Sequence, residues 1–124
     1  ALDKERMALA EAYGLKIRTL IDEYKNVYVT KGDNMYEVIT NCEGYHGIKG
    51  QKTLRTRYLL EDIPYSLVAL QSMGKVAGVP TPCIDAVVTI ARSMIPDMDE
   101  GRTLKNLGLE GVSKEEFECM CREG

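Results

Sequence analysis

Arg57, Tyr58, Glu61 and Asp62 are the residues of this chain whose types and spacing can do chemistry. They fall within "RTRYLLEDIPYSL", just before a proline. If the segment is helical up to Pro64, Arg57, Tyr58 and Glu61 share one side, because residues three and four apart are neighbours on a helix. Asp62 then sits at the turn before the next helix, and the N–H groups of Tyr65 and Ser66 open that helix. Such an end attracts carboxylates. A guanidinium, a carboxylate and a helix N-terminus in one place suit a small zwitterion, whose carboxylate needs a cation and whose amine needs an acceptor. The plainer account is a solvated helix end, with Asp62 as a cap and Arg57 with Glu61 as a surface pair. From spacing alone the plainer account is the better one.

Other chemistries find less support. There is no G-x-G-x-x-G and no G-x-x-x-x-G-K-[ST], so no nucleotide-binding loop is legible. The single histidine, His46, lies in "CEGYHGIKGQ", where Gly44, Gly47 and Gly50 mark a loop, and it reads as an exposed loop residue. Cys42, Cys83, Cys119 and Cys121 lack metal-ligand spacing, since Cys119 and Cys121 would point to different faces of a helix. They read as reduced thiols, buried or incidental, and no metal is expected. A net charge of −3 with dispersed Lys and Arg argues against nucleic acid. The longest apolar stretch, near "VPTPCIDAVVTIA", is broken by proline and aspartate and does not span a membrane. Residues 1–12 are charged and helix-like, not a signal peptide.

The elements that would position these residues are helical nearly throughout. With 124 residues and 44% hydrophobic content, one domain with a modest core is expected, spanning residues 1–124. Asp3 caps a first helix that stops at Gly14, and Thr19 caps a second with Leu20, Ile21, Tyr24 and Val27 as its apolar stripe. Asp33 or Asn34 starts a short helix ending near Asn41. Thr53 begins another, which Pro64 interrupts by disfavouring the α conformation at Ile63. A helix carrying Leu67, Val68, Leu70, Gln71 and Met73 stops near Gly78. Thr81 caps the best core helix, with Pro82 at its first position and Ile84, Val87, Val88, Ala91, Met94 and Ile95 inward. Pro96 to Gly101 is a loop, Thr103 starts a short helix stopped by Gly108, and Ser113 with Glu116 forms the capping box of a last helix that frays at Gly124. "NVYVT" is the only weak strand signal. The fold class is all-α.

Taken with its flanks, the opening stretch resembles the octopine/nopaline (opine) dehydrogenase family, in its C-terminal helical domain. The resemblance rests on "RYLLEDIP" at 57–64, "GVPTP" at 78–82 and "GRTLKNLGL" at 101–109, in that order, supported by "LDKERMALAEAYG" and "GYHGIKG". It implies a helical bundle like the C-terminal domain of 6-phosphogluconate dehydrogenase-like two-domain enzymes. It implies an oxidoreductase that uses NAD or NADP to join an amino acid to a 2-oxo acid reductively. Asp62 falls on the family's aspartate, which pairs with a histidine as an acid–base couple. Arg57 falls on an arginine placed to grip a substrate carboxylate.

The family's histidine lies upstream of this segment and would precede Ala1, and His46 does not take its role. The dinucleotide-binding domain is likewise expected to precede Ala1 and to be a partner of this one, so the segment alone is expected to be inactive. Ser66 and Ala69 stand where the family is expected to have Gly and Pro, which would reshape the pocket. A cytoplasmic location is the family's usual one. Two other readings stay open: a related NAD(P)-dependent 2-oxo or 3-oxo acid dehydrogenase needing no amine, and a non-catalytic dimerisation module. The module reading predicts that Arg57 and Asp62 are exposed and away from any cleft. The apolar helix faces predict self-association or binding to the missing domain.

Overall fold

The computed structural model describes residues 1–123 and is helical, with no strand among them. The α helices are α1 (Leu2–Ala12), α2 (Leu20–Tyr28), α3 (Met35–Thr40), α4 (Arg57–Leu60), α5 (Val68–Ala77), α6 (Pro82–Met94) and α7 (Lys114–Glu123). A 3-10 turn covers Glu43–Tyr45, and a π-helical turn, Ile63–Leu67, leads directly into α5. The chain divides into two compact units, one made of Ala1–Leu15 with Thr53–Gly124, the other of Lys16–Lys52. No change of composition marks either boundary in the sequence.

The larger unit is built around α6. Its inward residues Ile84, Val88 and Ala91 pack with Ile63 of the π turn and Val68 of α5, and Leu59, Leu67, Leu70, Val87 and Met98 close around them. The 3.6-residue period expected of α6 is present, but its stripe is narrower than expected, because Met94 is half exposed. α1 lies against α5 and α6. It buries Leu9 and Ala10, and Tyr13 donates its hydroxyl to the Met73 carbonyl at 2.9 Å.

The cap of α6 comes from another helix. Pro82 is at its start as expected, but Thr81 makes no side-chain bond to the helix backbone; its hydroxyl donates to Asp85 Oδ1 at 3.1 Å. Glu5 of α1 takes the cap instead. Its two carboxylate oxygens accept from the N–H groups of Cys83 (2.7 Å) and Ile84 (2.9 Å). The first-turn N–H groups of a helix have no partner of their own and carry partial positive charge, so a carboxylate suits them. Desolvation pushes the Glu5 carboxyl up, but the hydrogen bonds from Cys83 and Ile84 outweigh it and hold the group below its usual value.

Several expected boundaries move. Asp3 is not a cap: Ala1 holds that position, and Asp3 sits in the first turn of α1, where Arg6 Nε donates to it at 2.8 Å. The helix expected from Thr53 begins only at Arg57. Pro64 does not interrupt the helix. The wider π repeat absorbs its missing N–H, and the chain continues into α5 until Gly78 in the left-handed region. Thr103 opens a single turn, closed by the Leu107 N–H to Thr103 carbonyl bond at 2.9 Å, rather than a helix. The capping box of α7 is as read, with Ser113 N–H on Glu116 at 2.8 Å and Glu116 N–H on Ser113 Oγ at 3.2 Å. The expected fraying at Gly124 lies outside the described residues.

The smaller unit holds α2, α3 and the 3-10 turn. Thr19 and Asn34 cap α2 and α3, each accepting the N–H three residues on. Val38 and Cys42 are its buried apolar residues, and buried Thr30 donates to the Val38 carbonyl at 2.9 Å. The apolar stripe expected of α2 is not buried: Leu20 and Val27 are exposed, and no residue of α2 is fully inside. Tyr24, Tyr28 and Tyr45 pack as an aromatic cluster, their ring centroids 5.3–6.0 Å apart. The weak strand signal falls on the end of α2 and on Val29, which adopts φ 51°.

Candidate functional site

Arg57 opens α4, and Asp62 stands one residue before the π turn. The segment leading into α4 is held by a two-pronged ion pair. Arg55 Nη1 and Nη2 reach the two oxygens of Asp97, beyond the end of α6, at 2.7 and 2.9 Å. The hydrogen bond from Arg55 keeps the Asp97 carboxyl below its usual range.

Both predicted site residues are exposed. Arg57 contacts Glu61 through Nε at 3.9 Å, with side chains 76% and 62% exposed, a loose pair of the kind that adds little stability. No other hydrogen bond or ion pair to its guanidinium is formed among the described residues. The Asp62 carboxylate makes no hydrogen bond or ion pair among them and does not cap the following helix. The open helix N-terminus expected at Tyr65 is absent, because its N–H donates to the Glu61 carbonyl at 3.0 Å. The local part of the plainer account is therefore half right: the surface pair is present and the cap is not.

What fixes this turn is a loop some forty residues away. The Arg102 N–H donates to the Pro64 carbonyl at 2.9 Å. Gly101, at φ 69°, lies so close that a Cβ there would fall on the Pro64 carbonyl. Asp99 accepts from the Gly101 N–H at 2.6 Å. The charge of Asp99, then burial, push the Tyr65 hydroxyl up from its usual value. Ser72 of α5 donates to the Arg102 carbonyl and Asn106 to the Gly101 carbonyl, at 2.9 and 2.8 Å. Two of the three motifs behind the family resemblance, "RYLLEDIP" and "GRTLKNLGL", are thus one physical object. The third, "GVPTP", is the connection from α5 to the start of α6 that Glu5 caps.

The model of the NAD/NADP octopine/nopaline dehydrogenase α-helical domain matches residues 1–95. The chain belongs to this family. An opine dehydrogenase from Arthrobacter sp. is 41% identical over 115 residues, covering 90% of this chain and 32% of the relative. The protein ocs of Agrobacterium vitis is 32% identical over 115 residues, and a vitopine synthase from Allorhizobium ampelinum 30% over 114, each again matched over 32% of its length. The chain therefore spans about a third of the length of these relatives. The all-helical fold is that of the family's helical domain, as the motifs implied.

Among the described residues no strand runs into a glycine-rich turn and a helix. His46 is exposed, its Nε2 lying 3.1 Å from the Thr40 carbonyl. No group of three or more His, Cys, Asp and Glu side chains is placed to hold a metal among the described residues, and no helix there is long and apolar enough to cross a membrane. Asp99, Gly101 and Glu5 escaped the sequence reading. Only "GRTL" carried a signal, and nothing in it revealed what the glycine touches.

Proposed function

We propose that this chain is the substrate-binding and catalytic helical part of an opine-type dehydrogenase, which condenses an amino acid with a 2-oxo acid reductively. The cofactor, NADPH or NADH, supplies the hydride and is bound by the rest of the full-length protein. Asp62 orients an imidazole that the full-length protein brings to it, fixing its tautomer and stabilising its protonated form. Arg57 grips a substrate carboxylate through its two terminal nitrogens.

The observation that carries the reading is the state of Asp62. Its carboxylate has no partner of its own among the described residues, yet the turn beside it is fixed by the Gly101–Arg102 loop. A group left open on a fixed support suits recruitment by something outside this chain. The same exposure favours the dimerisation module as the second reading.

The test is oxidation of NADH or NADPH by the full-length protein given pyruvate and a pool of L-amino acids, for wild type, Asp62→Asn and Arg57→Gln. Turnover that requires both substrates and falls about 10⁴-fold in Asp62→Asn is expected. Arg57→Gln should raise one KM by about 10–100-fold. Turnover with the oxo acid alone would move the protein to the amine-independent dehydrogenases. A folded, cofactor-binding protein inactive with every pair would leave the module.

A further inference from the structure

The larger unit carries a cavity of about 390 Å³ between α5, the 101–109 loop and α7. Ala69 and Met73 line it from α5, Leu109 from the loop, and Phe117 and Met120 from α7. Arg102 is its one charged lining residue. The Arg102 guanidinium makes no hydrogen bond or ion pair among the described residues, although its backbone N–H and carbonyl are both engaged. The side chain is therefore exposed on a fixed base.

α7 is lightly held. No residue of it is fully buried, and Phe117 meets Tyr13 edge-on, centroids 5.7 Å apart. A second cavity of about 250 Å³ adjoins the first and shares Met73, Phe117 and Cys121 with it. Apolar walls of flexible methionine and one unpaired guanidinium set the chemistry of an occupant: an apolar body with a single carboxylate.

The geometry points to a binding site for small apolar carboxylates under α7, with Arg102 holding the carboxylate and Met73, Phe117 and Met120 enclosing the body. Neither Arg57 nor Asp62 lines it, and it stands whether or not the reaction proposed above is the right one. A volume near the low end for small-molecule sites favours a compact ring or short chain over a long acyl chain.

The experiment uses the full-length protein labelled at its methionine methyls and titrated with 3-phenylpropionate, 3-phenylpropionamide and L-phenylalanine, followed by NMR. The carboxylate is expected to shift Met73 and Met120 and leave Met35, in the smaller unit, unmoved. The neutral amide should bind about tenfold more weakly, and Arg102→Gln should erase that difference, since a charge-assisted hydrogen bond is worth about that factor. The exposed Arg102 side chain has no hydrogen bond or ion pair among the described residues to lose, so the substitution is expected to leave the fold intact. L-Phenylalanine shifting the same methyls would identify amino acids as ligands; phenylpropionate alone doing so would assign the site to acids without an α-ammonium. No shift at Met73 and Met120 at millimolar phenylpropionate, equal affinity for acid and amide, or an unchanged preference in Arg102→Gln would each overturn the site.

Discussion

Replacing Gly101 by alanine tests how the loop holds the Ile63–Leu67 turn. Two costs arise. At φ 69° an L-residue carries about 1–2 kcal/mol of backbone strain. The new Cβ also falls on the Pro64 carbonyl and lies 2.6 Å from Pro64 Cα. These are backbone atoms of a turn that packs into the core through Ile63, so relief requires the loop to lift, with the overpacking cost of about 1–3 kcal/mol. Gly108 is an internal control. It has the same φ of 69°, and a Cβ there meets nothing within 4 Å. Gly108→Ala should therefore cost only the strain, about 1–2 kcal/mol, and Gly101→Ala about 2–5 kcal/mol. Equilibrium urea unfolding of both variants, followed by helical circular dichroism, measures the difference. If the two agree within about 0.5 kcal/mol, the spread expected of independent surface changes, the close contact with Pro64 does not hold the loop.

Four further outcomes are expected. Val29→Gly should stabilise the protein by about 0.5–1 kcal/mol, because a β-branched residue at φ 51° is relieved and its side chain, 86% exposed, gives up no burial; a destabilised variant in thermal unfolding would contradict this. Ile84→Ala should cost about 2–5 kcal/mol, since the side chain is wholly inside the core of the larger unit, and a loss under about 1 kcal/mol would mean that core is not packed as described. Glu5→Gln should lower the melting temperature at neutral pH: the folded carboxyl titrates below its unfolded value, so its contribution is present above the unfolded pKa and lost as pH falls through the folded one. A wild-type advantage that persists in strong acid would refute that assignment. Iodoacetamide should modify exposed Cys119 and Cys121 first and buried Cys42 last, with Cys83 slowed by the Glu5 carboxylate that raises its thiol, as mass spectrometry of peptides would read.

What the sequence revealed was mostly local. The cap at Thr19, the helix start at Asp33 or Asn34, the capping box at Ser113, the stop at Gly78 and the inward face of α6 each depend on residues within a turn or two of one another, and periodicity and capping rules register that range. What escaped was long-range. Glu5 caps a helix that starts far along the chain, and in sequence it looks like any acid in a first turn. The α2 stripe has the right period yet stays exposed, because period reports amphipathicity and not what covers it. Pro64 misled for a different reason: the rule that it ends a helix assumes an α repeat, and a π turn leaves room for the missing donor. Residue types and spacing singled out Arg57 and Asp62, but only the family motif suggested roles for them. Their surface position was one of the readings left open, and Asp62's lack of a partner was not legible.

The π turn also sets a phase. Each α-helical residue advances the chain by about 100° around its axis, so the extra residue held in Ile63–Leu67 decides which way Arg57 and Asp62 face relative to the stripe of α5 that points into the core. Deleting one residue there would restore the ordinary repeat and swing the upstream charges by about a quarter turn or more relative to α5, and Ile63 would have to reseat in the core. Gaining or losing a single codon there retunes the direction in which this surface faces, without altering the identity of any residue on it.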